Sequence, residues 1–380
     1  MHISEHISLK ELTTLKIGGV ARYLASVSEV SELREALHFA EERKLPVIIL
    51  GGGSNVLIAN GEINSLVIKI DIKGIEWKEG APPTLPTLKR GEGKGGAEDF
   101  VNVIASAGES WDGLVVEAVR RGLWGIENLS GIPGTVGATP IQNIGAYGVE
   151  IKDLIEWVEV FDTKVGIVRR LSNVECGFAY RDSIFKHPEG KGFIVLRVAL
   201  RLKKGGIPNL AYRDLKEIFN SQFSILNERE KEERQSRLTP QDVRKAVLDI
   251  RSKKFPDLGK FGTAGSFFKN PIISKERFDE LKKRFPNLPG FPLTRFDLTS
   301  GERSNLVKVP LAWILDNVCN LRGYERGNVK LFEKQPIVLV QNGLASSEEI
   351  ESFAKEIATR VKEKTGIDIE WEVQKVKSMN

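Results

Sequence analysis

Residues 122–149 read GLWGIENLSGIPGTVGATPIQNIGAYGV, and no other run constrains the fold as tightly. Seven glycines and two prolines exclude a continuous helix, yet Glu127 is the sole charged residue in the run. A flexible surface linker would carry more charge and less Ile, Val and Leu. The combination predicts irregular backbone wrapped closely around something, because glycine lets main chain approach a ligand.

A second glycine-rich stretch, LGGGSNVLI at 50–58, has a different form. An apolar strand runs into three glycines, then Ser54 and Asn55, then another apolar run. Successive N–H groups in such a turn make a nest of the kind that holds phosphate. The turn opens a second apolar run rather than a helix, so it is not the dinucleotide fingerprint. Alone, it fits an empty tight turn as well as a phosphate site. Two separated glycine-rich, charge-poor segments together favour a long ligand held mostly by backbone, and a dinucleotide fits.

Periodicity supplies the frame around these segments. Residues 20–27 alternate as a strand, and 29–43 put Val30, Leu33, Leu37 and Ala40 on one helical face. Residues 78–100 are rich in Pro, Gly and charge and predict an exposed loop or irregular hairpin. A helix is expected over 112–121, with Asp112 as its cap and Gly122 as its stop. Strands are expected at 155–163, 166–172 and 193–203; in the last, Ile194, Leu196, Val198 and Leu200 share one face and Arg197 and Arg201 the other. Residues 222–238 read as a solvated helix face. Thr239-Pro240 starts a helix that turns Val243, Ala246, Val247 and Ile250 inward. Ser346 with Glu349 forms a capping box for a helix that stops at Gly366, and IDIEWEV at 367–373 reads as a final strand. The expected organisation is 1–75, 76–240 and 241–380, with the last strand returning to the site.

Composition excludes several classes. The chain has 380 residues, 41% hydrophobic and 28% charged, as ordinary globular proteins do. Its net charge of +5 is spread along the chain, which fits an anionic ligand and gives no reason to expect nucleic acid. Two cysteines, Cys176 and Cys319, make no disulfide framework, and four scattered histidines make no metal site. No signal peptide and no membrane-spanning apolar run is seen, so the cytosol is expected.

Three further pieces could carry chemistry. Ser266 lies in FGTAGSFFKNP, a setting in which serine is more often packed than catalytic, and the nucleophile elbow is absent. Glu370 and Glu372 alternate with apolar residues, so both would fall on one strand face, exposed to solvent or not. The tetrapeptide AYRD occurs twice, at 179–182 and 211–214, with unlike flanks.

Taken together, LGGGSNVLI (50–58), GIENLSGIPGTVGATPIQNIGAYGVE (125–150), YRDSIFK (180–186), AGSFFKNP (264–271) and IEWEV (369–373) resemble the UDP-N-acetylenolpyruvoylglucosamine reductase (MurB) family of flavoenzymes, in the family's order and over most of the chain. The resemblance implies an α+β fold, with a two-part FAD-binding domain of the flavin oxidase (PCMH-like) type and a C-terminal α+β substrate-binding domain. It implies FAD as cofactor, NADPH as reductant and a UDP-sugar as substrate. Hydride from NADPH would pass through FAD to the methylene carbon of an enolpyruvyl ether, giving UDP-N-acetylmuramate for peptidoglycan. The family default is a monomer.

Residue by residue, the resemblance places FAD on Gly51, Gly52, Gly53, Ser54, Asn55, Gly131, Gly134, Thr135, Gly137, Ala138 and Gly145. Arg181 would contact the enolpyruvyl carboxylate, where a fixed guanidinium stabilises charge as it develops. Ser266 would give a proton to the α carbon, and Glu372 would act beside that carboxylate, protonated or together with Arg181. Gln142 and Tyr147 would face the sugar and pyruvyl end; Lys254, Asn270 and Gln335 would meet the rest of the substrate. Tyr212, in the second AYRD, matches a tyrosine that folds over the UDP moiety in one subgroup. The chain departs from the family at the 78–100 insert, at 329–340, where a common His is missing, and at Trp371, where Pro is common. Two other readings share parts of the pattern: another FAD oxidoreductase of the superfamily, and a UDP-sugar-binding protein without redox chemistry.

Overall fold

The computed structural model describes residues 1–80, 100–222, 227–293 and 305–377. The insert expected at 78–100 falls outside these residues except for its ends. Those ends are the strands Ile75–Glu79 and Phe100–Ser106, which pair antiparallel. The chain forms two compact units: one of Met1–Ser26, Glu32–Lys69 and Ser252–Asn380, the other of Val27–Ser31 and Ile70–Arg251.

The first unit begins with a four-stranded sheet in the order Ile3–Ser8, Val20–Val27, Glu62–Ile70, Val47–Leu50. The last two strands run parallel, so the chain must cross over between them, which it does through residues 51–61; the helix Val30–Glu42 joins Val20–Val27 to Val47–Leu50. That helix buries Leu33, Ala36 and Ala40, with Leu37 half-buried, so the apolar face is turned slightly from the expected one. A second sheet orders Gly262–Ser266, Val338–Gln341, Val329–Leu331 and Glu325–Arg326, covered by helices such as Ser347–Thr365. The latter helix starts as expected: the Ser346 hydroxyl accepts the Glu349 N–H at 3.1 Å, and Gly366 ends it at φ 70°. The core around this sheet includes Phe267, Phe268, Phe353 and Ile357, and it also takes in Leu15, Ile17 and Leu57. The ends of the sequence therefore share one hydrophobic interior. Burying a Phe of this kind contributes about 1.5–3 kcal/mol.

One expectation is corrected here. Residues 367–373 are not a strand: Trp371 makes a single bridge to Phe268, and the strand is Gln374–Val376, pairing parallel with Val56–Ile58. The alternation in IDIEWEV arises from one-sided packing, with Ile367 and Val373 buried and Asp368 and Glu370 exposed.

The second unit is built on a five-stranded antiparallel sheet in the order Ile167–Ser172, Ile155–Asp162, Phe193–Lys203, Phe100–Ser106, Ile75–Glu79. Phe193–Lys203 is central and buries Val195 and Ala199 as well as the expected Ile194, Leu196, Val198 and Leu200. Arg197 survives there because Glu159 takes its Nε at 2.6 Å. The helix expected over 112–121 spans Trp111–Arg120, and its cap is Ser110, whose hydroxyl accepts the Gly113 N–H; the cap assigned to Asp112 is corrected. Asp112 instead accepts the Gly131 N–H at 2.6 Å and two bonds from Arg244 at 2.6 and 2.8 Å. The helix Pro240–Lys254 begins at Pro240 and buries Val243, Ala246, Val247 and Ile250, as its sequence requires. Residues 222–238 include the helix Glu228–Ser236, capped by Asn227.

Candidate active site

In the first unit, one network joins three of the motifs read from the sequence. The turn after Val47–Leu50 bends at Gly53, where φ is +61° and an added Cβ would lie 1.9 Å from the Leu12 carbonyl oxygen. Only glycine fits there. The Gly53 carbonyl accepts the Thr14 N–H at 3.1 Å. The Thr14 hydroxyl reaches the Thr263 carbonyl at 2.8 Å and the Ser54 carbonyl at 3.4 Å, and the Thr263 N–H returns to Thr14 at 3.0 Å. Thr14 thus fixes the glycine turn against the strand that ends at Ser266. A bulge between Thr263 and Ser266 and the φ of +74° at Gly265 turn the strand end, so Ser266 stands half-exposed while Phe267 and Phe268 are fully buried.

Glu372 is tied to the same place. Its N–H donates to the Phe267 carbonyl at 2.9 Å, and its carbonyl accepts the Asn55 side-chain amide at 3.0 Å. The Asn55 carbonyl takes the Gln374 N–H at 3.0 Å, and the Trp371 ring meets Phe267 edge-on at 5.1 Å. The two glutamates that the sequence placed alike are separated: Glu370 is exposed and paired with Lys269, and Glu372 is half-buried. Asn270 uses its side-chain carbonyl to hold the Leu311 N–H at 2.9 Å. Gln335 sits half-buried in the turn before Val338–Gln341, and Lys254 half-buried at its helix end.

In the second unit, the run 131–150 is strapped across neighbouring segments by main-chain bonds. Trp111 N–H reaches Gly134, Val136 N–H reaches Glu109, Gly137 N–H reaches Ala107 and Ala138 N–H reaches Thr135, all at 2.9–3.1 Å. A Cβ on Gly137 would lie 2.6 Å from the Ala107 Cβ, so the missing side chain lets this backbone pack directly against residue 107. The segment 179–186 docks beside it. The Asn143 amide gives hydrogens to Ala179 at 2.9 Å and Glu150 at 3.0 Å, and the Ser183 hydroxyl reaches Ile141 at 2.7 Å. Arg181 has φ +53°, with its carbonyl held by Lys186 and its Nη2 on the Gly145 carbonyl at 2.8 Å. Asn143 and Tyr147 also have positive φ, at 44° and 50°. Such backbone costs about 1–3 kcal/mol per residue and collects where function fixes a side chain. Gln142 is half-buried within this cluster, and burial pushes the Tyr147 hydroxyl up to about 12. Tyr212 is half-exposed, its ring edge-on to Tyr147 at 5.1 Å, and the neighbouring Arg213 is an exposed partner of Glu217.

The donor set suits the diphosphate of a dinucleotide. Among the described residues, none accepts a hydrogen bond from the N–H groups of Gly52, Gly53, Ser54 and Asn55. Four successive main-chain donors on a glycine turn are what an anion of that kind recruits. Thr14, the clamp function of Asn55, and Asn128, Asn209 and Arg251 were not seen in the sequence. They are isolated polar residues whose partners lie far away, and only the unusual density of small residues around 122–149 hinted at close packing. The described residues hold no metal-ligating cluster, and no described helix is long and apolar enough to cross a membrane.

Comparison with known proteins gives the class first. Residues 21–172 match the family described as FAD binding domain, which makes this a flavin-binding fold. Residues 257–376 match the UDP-N-acetylenolpyruvoylglucosamine reductase C-terminal domain. The UDP-N-acetylenolpyruvoylglucosamine reductase of Pasteurella multocida is 34% identical over 367 residues, 97% of this chain and 95% of its own length. That of Pseudomonas aeruginosa is 35% identical over 370 residues, 97% and 98% of the two chains. The crystal structure of the MurB enzyme from Thermus caldophilus matches with a TM-score of 0.60 at 25% identity, covering 99% of both chains. This chain belongs to the UDP-N-acetylenolpyruvoylglucosamine reductase family.

Proposed function

We propose that the protein reduces enolpyruvyl-UDP-N-acetylglucosamine to UDP-N-acetylmuramate with NADPH. The observation that carries this is the joining of the glycine turn, Ser266 and Glu372 through Thr14, Phe267 and Asn55. FAD, held at residues 51–55 and along the 131–145 backbone, supplies hydride chemistry between NADPH and the substrate double bond. The chain's own residues handle charge and protons. Arg181 faces the substrate carboxylate and stabilises the charge that gathers there as the methylene carbon is reduced. Ser266 Oγ gives its proton to the adjacent α carbon; an enolate carbon is basic enough to take one from a hydroxyl. Glu372 works at the same carboxylate. Gln142, Tyr147, Lys254, Asn270 and Gln335 hold the rest of the substrate, and Tyr212 covers its nucleotide, the arrangement of the subgroup with the extra tyrosine loop. The enzyme works as a cytosolic monomer without nucleic acid.

The test is NADPH oxidation by the FAD-loaded protein with and without enolpyruvyl-UDP-N-acetylglucosamine. Substrate should stimulate turnover strongly, and a yellow protein with no stimulation would overturn the reading in favour of another flavin oxidoreductase. Ser266→Ala should leave flavin reduction by NADPH near normal and slow the second half-reaction by about 10²-fold or more. Equal loss in both half-reactions would remove Ser266 as proton donor.

A further inference from the structure

Tyr147 and Tyr212 are bound together by more than their ring contact. Asn128 is wholly buried, and its amide donates to the Tyr147 carbonyl at 2.8 Å and to the Asn209 carbonyl at 2.9 Å. Asn209 donates in turn to the Gly148 carbonyl at 3.0 Å, and its side-chain oxygen takes the Ala211 N–H at 3.2 Å. The segment leading into Tyr212 is thus stitched to the backbone of Tyr147 and Gly148. Tyr147 itself sits in one core with Leu215 and Phe219 of the helix Arg213–Gln222, which begins one residue after Tyr212. From the other side, the Arg251 side chain hydrogen-bonds the Tyr147 hydroxyl. Arg251 is confined there, because its Nε and the Leu248 side chain fill the space at Gly131, where a Cβ would lie 2.9 Å from each.

We infer that Arg251 is a positioning residue for the nucleotide end of the substrate, acting through the Tyr147 ring on Tyr212. The inference rests on the reading above that Tyr212 covers that end. A Tyr212 side chain on a free segment would have to be ordered on each binding event. A preset ring partner removes part of that entropy cost. The hydroxyl of Tyr147 gives the ring one orientation, and a fixed guanidinium is well suited to hold it.

A double-mutant cycle between Arg251 and Tyr212 separates this from direct substrate contact and from a purely structural role. With the FAD-loaded enzyme, Arg251→Lys should raise KM for the UDP-sugar by about tenfold while moving kcat less than about threefold, and Tyr212→Ala should do the same. In the Tyr212→Ala background, Arg251→Lys should change KM by less than about twofold, because its route to the substrate is gone. Equal fold-changes in both backgrounds would overturn the inference, as would an unmoved KM in Arg251→Lys. If Arg251→Lys fails to fold, Tyr147→Phe keeps the ring, deletes only the hydroxyl, and is held to the same criterion. A wild-type enzyme with no substrate-stimulated turnover would instead break the functional reading itself.

Discussion

Ser266 and Glu372 are held in place chiefly by main-chain groups: the Phe267 carbonyl, the Thr263 and Gly53 carbonyls on Thr14, and the bulge at Gly265. The backbone around Arg181 and Tyr147 is held by side chains, with Lys186 on the Arg181 carbonyl, Asn143 on the Ala179 carbonyl, Asn128 on the Tyr147 carbonyl and Arg251 at the Tyr147 hydroxyl, while the Arg181 guanidinium rests on the Gly145 carbonyl. The first kind of support depends on backbone conformation and tolerates most changes of side chain, except where a Cβ would enter. The second kind depends on the identity of each side chain and is open to tuning by single substitutions. The residues proposed to handle protons thus sit on the less variable support, and those proposed to recognise the substrate sit on the more adjustable one.

Glycine substitutions give the sharpest way to break this contrast. Gly53→Ala combines a positive φ, worth about 1–2 kcal/mol, with a Cβ 1.9 Å from the Leu12 carbonyl oxygen, so purified protein should lose its bound FAD and melt at a clearly lower temperature. Gly145→Ala places its Cβ 3.0 Å from the movable Glu150 side chain and should keep the fold and FAD, with a weaker effect on turnover. Absorbance near 450 nm relative to 280 nm and a thermal melt read both outcomes. Similar losses in the two variants would erase the distinction between the supports.

Asn55 is, with the Thr14 hydroxyl, one of the side chains on which the main-chain support relies. Asn55→Ala removes the bond to the Glu372 carbonyl, worth about 0.5–1.5 kcal/mol net. It should slow substrate reduction by about tenfold with a smaller change in flavin reduction by NADPH, as read by stopped-flow absorbance of the two half-reactions. Equal slowing of both would show that Asn55 serves FAD and not Glu372.

The smallest expected effect is at Glu127, a buried carboxyl whose nearest bond is the Gly125 N–H at 2.6 Å. Burial pushes Glu127 above the ordinary glutamate range. The sign follows: its contribution to stability is full below the unfolded glutamate value and is lost as pH rises through the raised folded value. Glu127→Gln keeps an acceptor for Gly125 and cannot ionise, so its melting temperature relative to the parent chain should climb by a few degrees between pH 4 and pH 8. A constant difference across that range would mean that the charge of Glu127 is matched in the fold.

Much of this was legible in the sequence. The helices at 30–42, 240–254 and 347–365 followed from periodicity and caps, and the glycine runs foretold close backbone approach. What escaped has a common cause. Thr14 to Thr263, Asn55 to Glu372 and strand 56–58 to strand 374–376 are pairings across more than half the chain, and local pattern carries no trace of a distant partner. Asp112 was misread as a cap because Ser110, two residues earlier, is equally suited and wins by geometry. The alternation at 367–373 mimics a strand because half-burial of an irregular segment has the same signature.

The parallel pairing of residues 56–58 with 374–376 also sets a schedule for the molecule's assembly. The glycine turn is made early in synthesis, yet Asn55 and its neighbours lack their partners until the segment beyond Gly366 has left the ribosome. Pairing these strands closes a loop of some three hundred residues, the kind of distant contact that makes folding slow. A chain stalled short of residues 374–376 lacks both the strand that pairs with 56–58 and a settled partner for the Asn55 side chain.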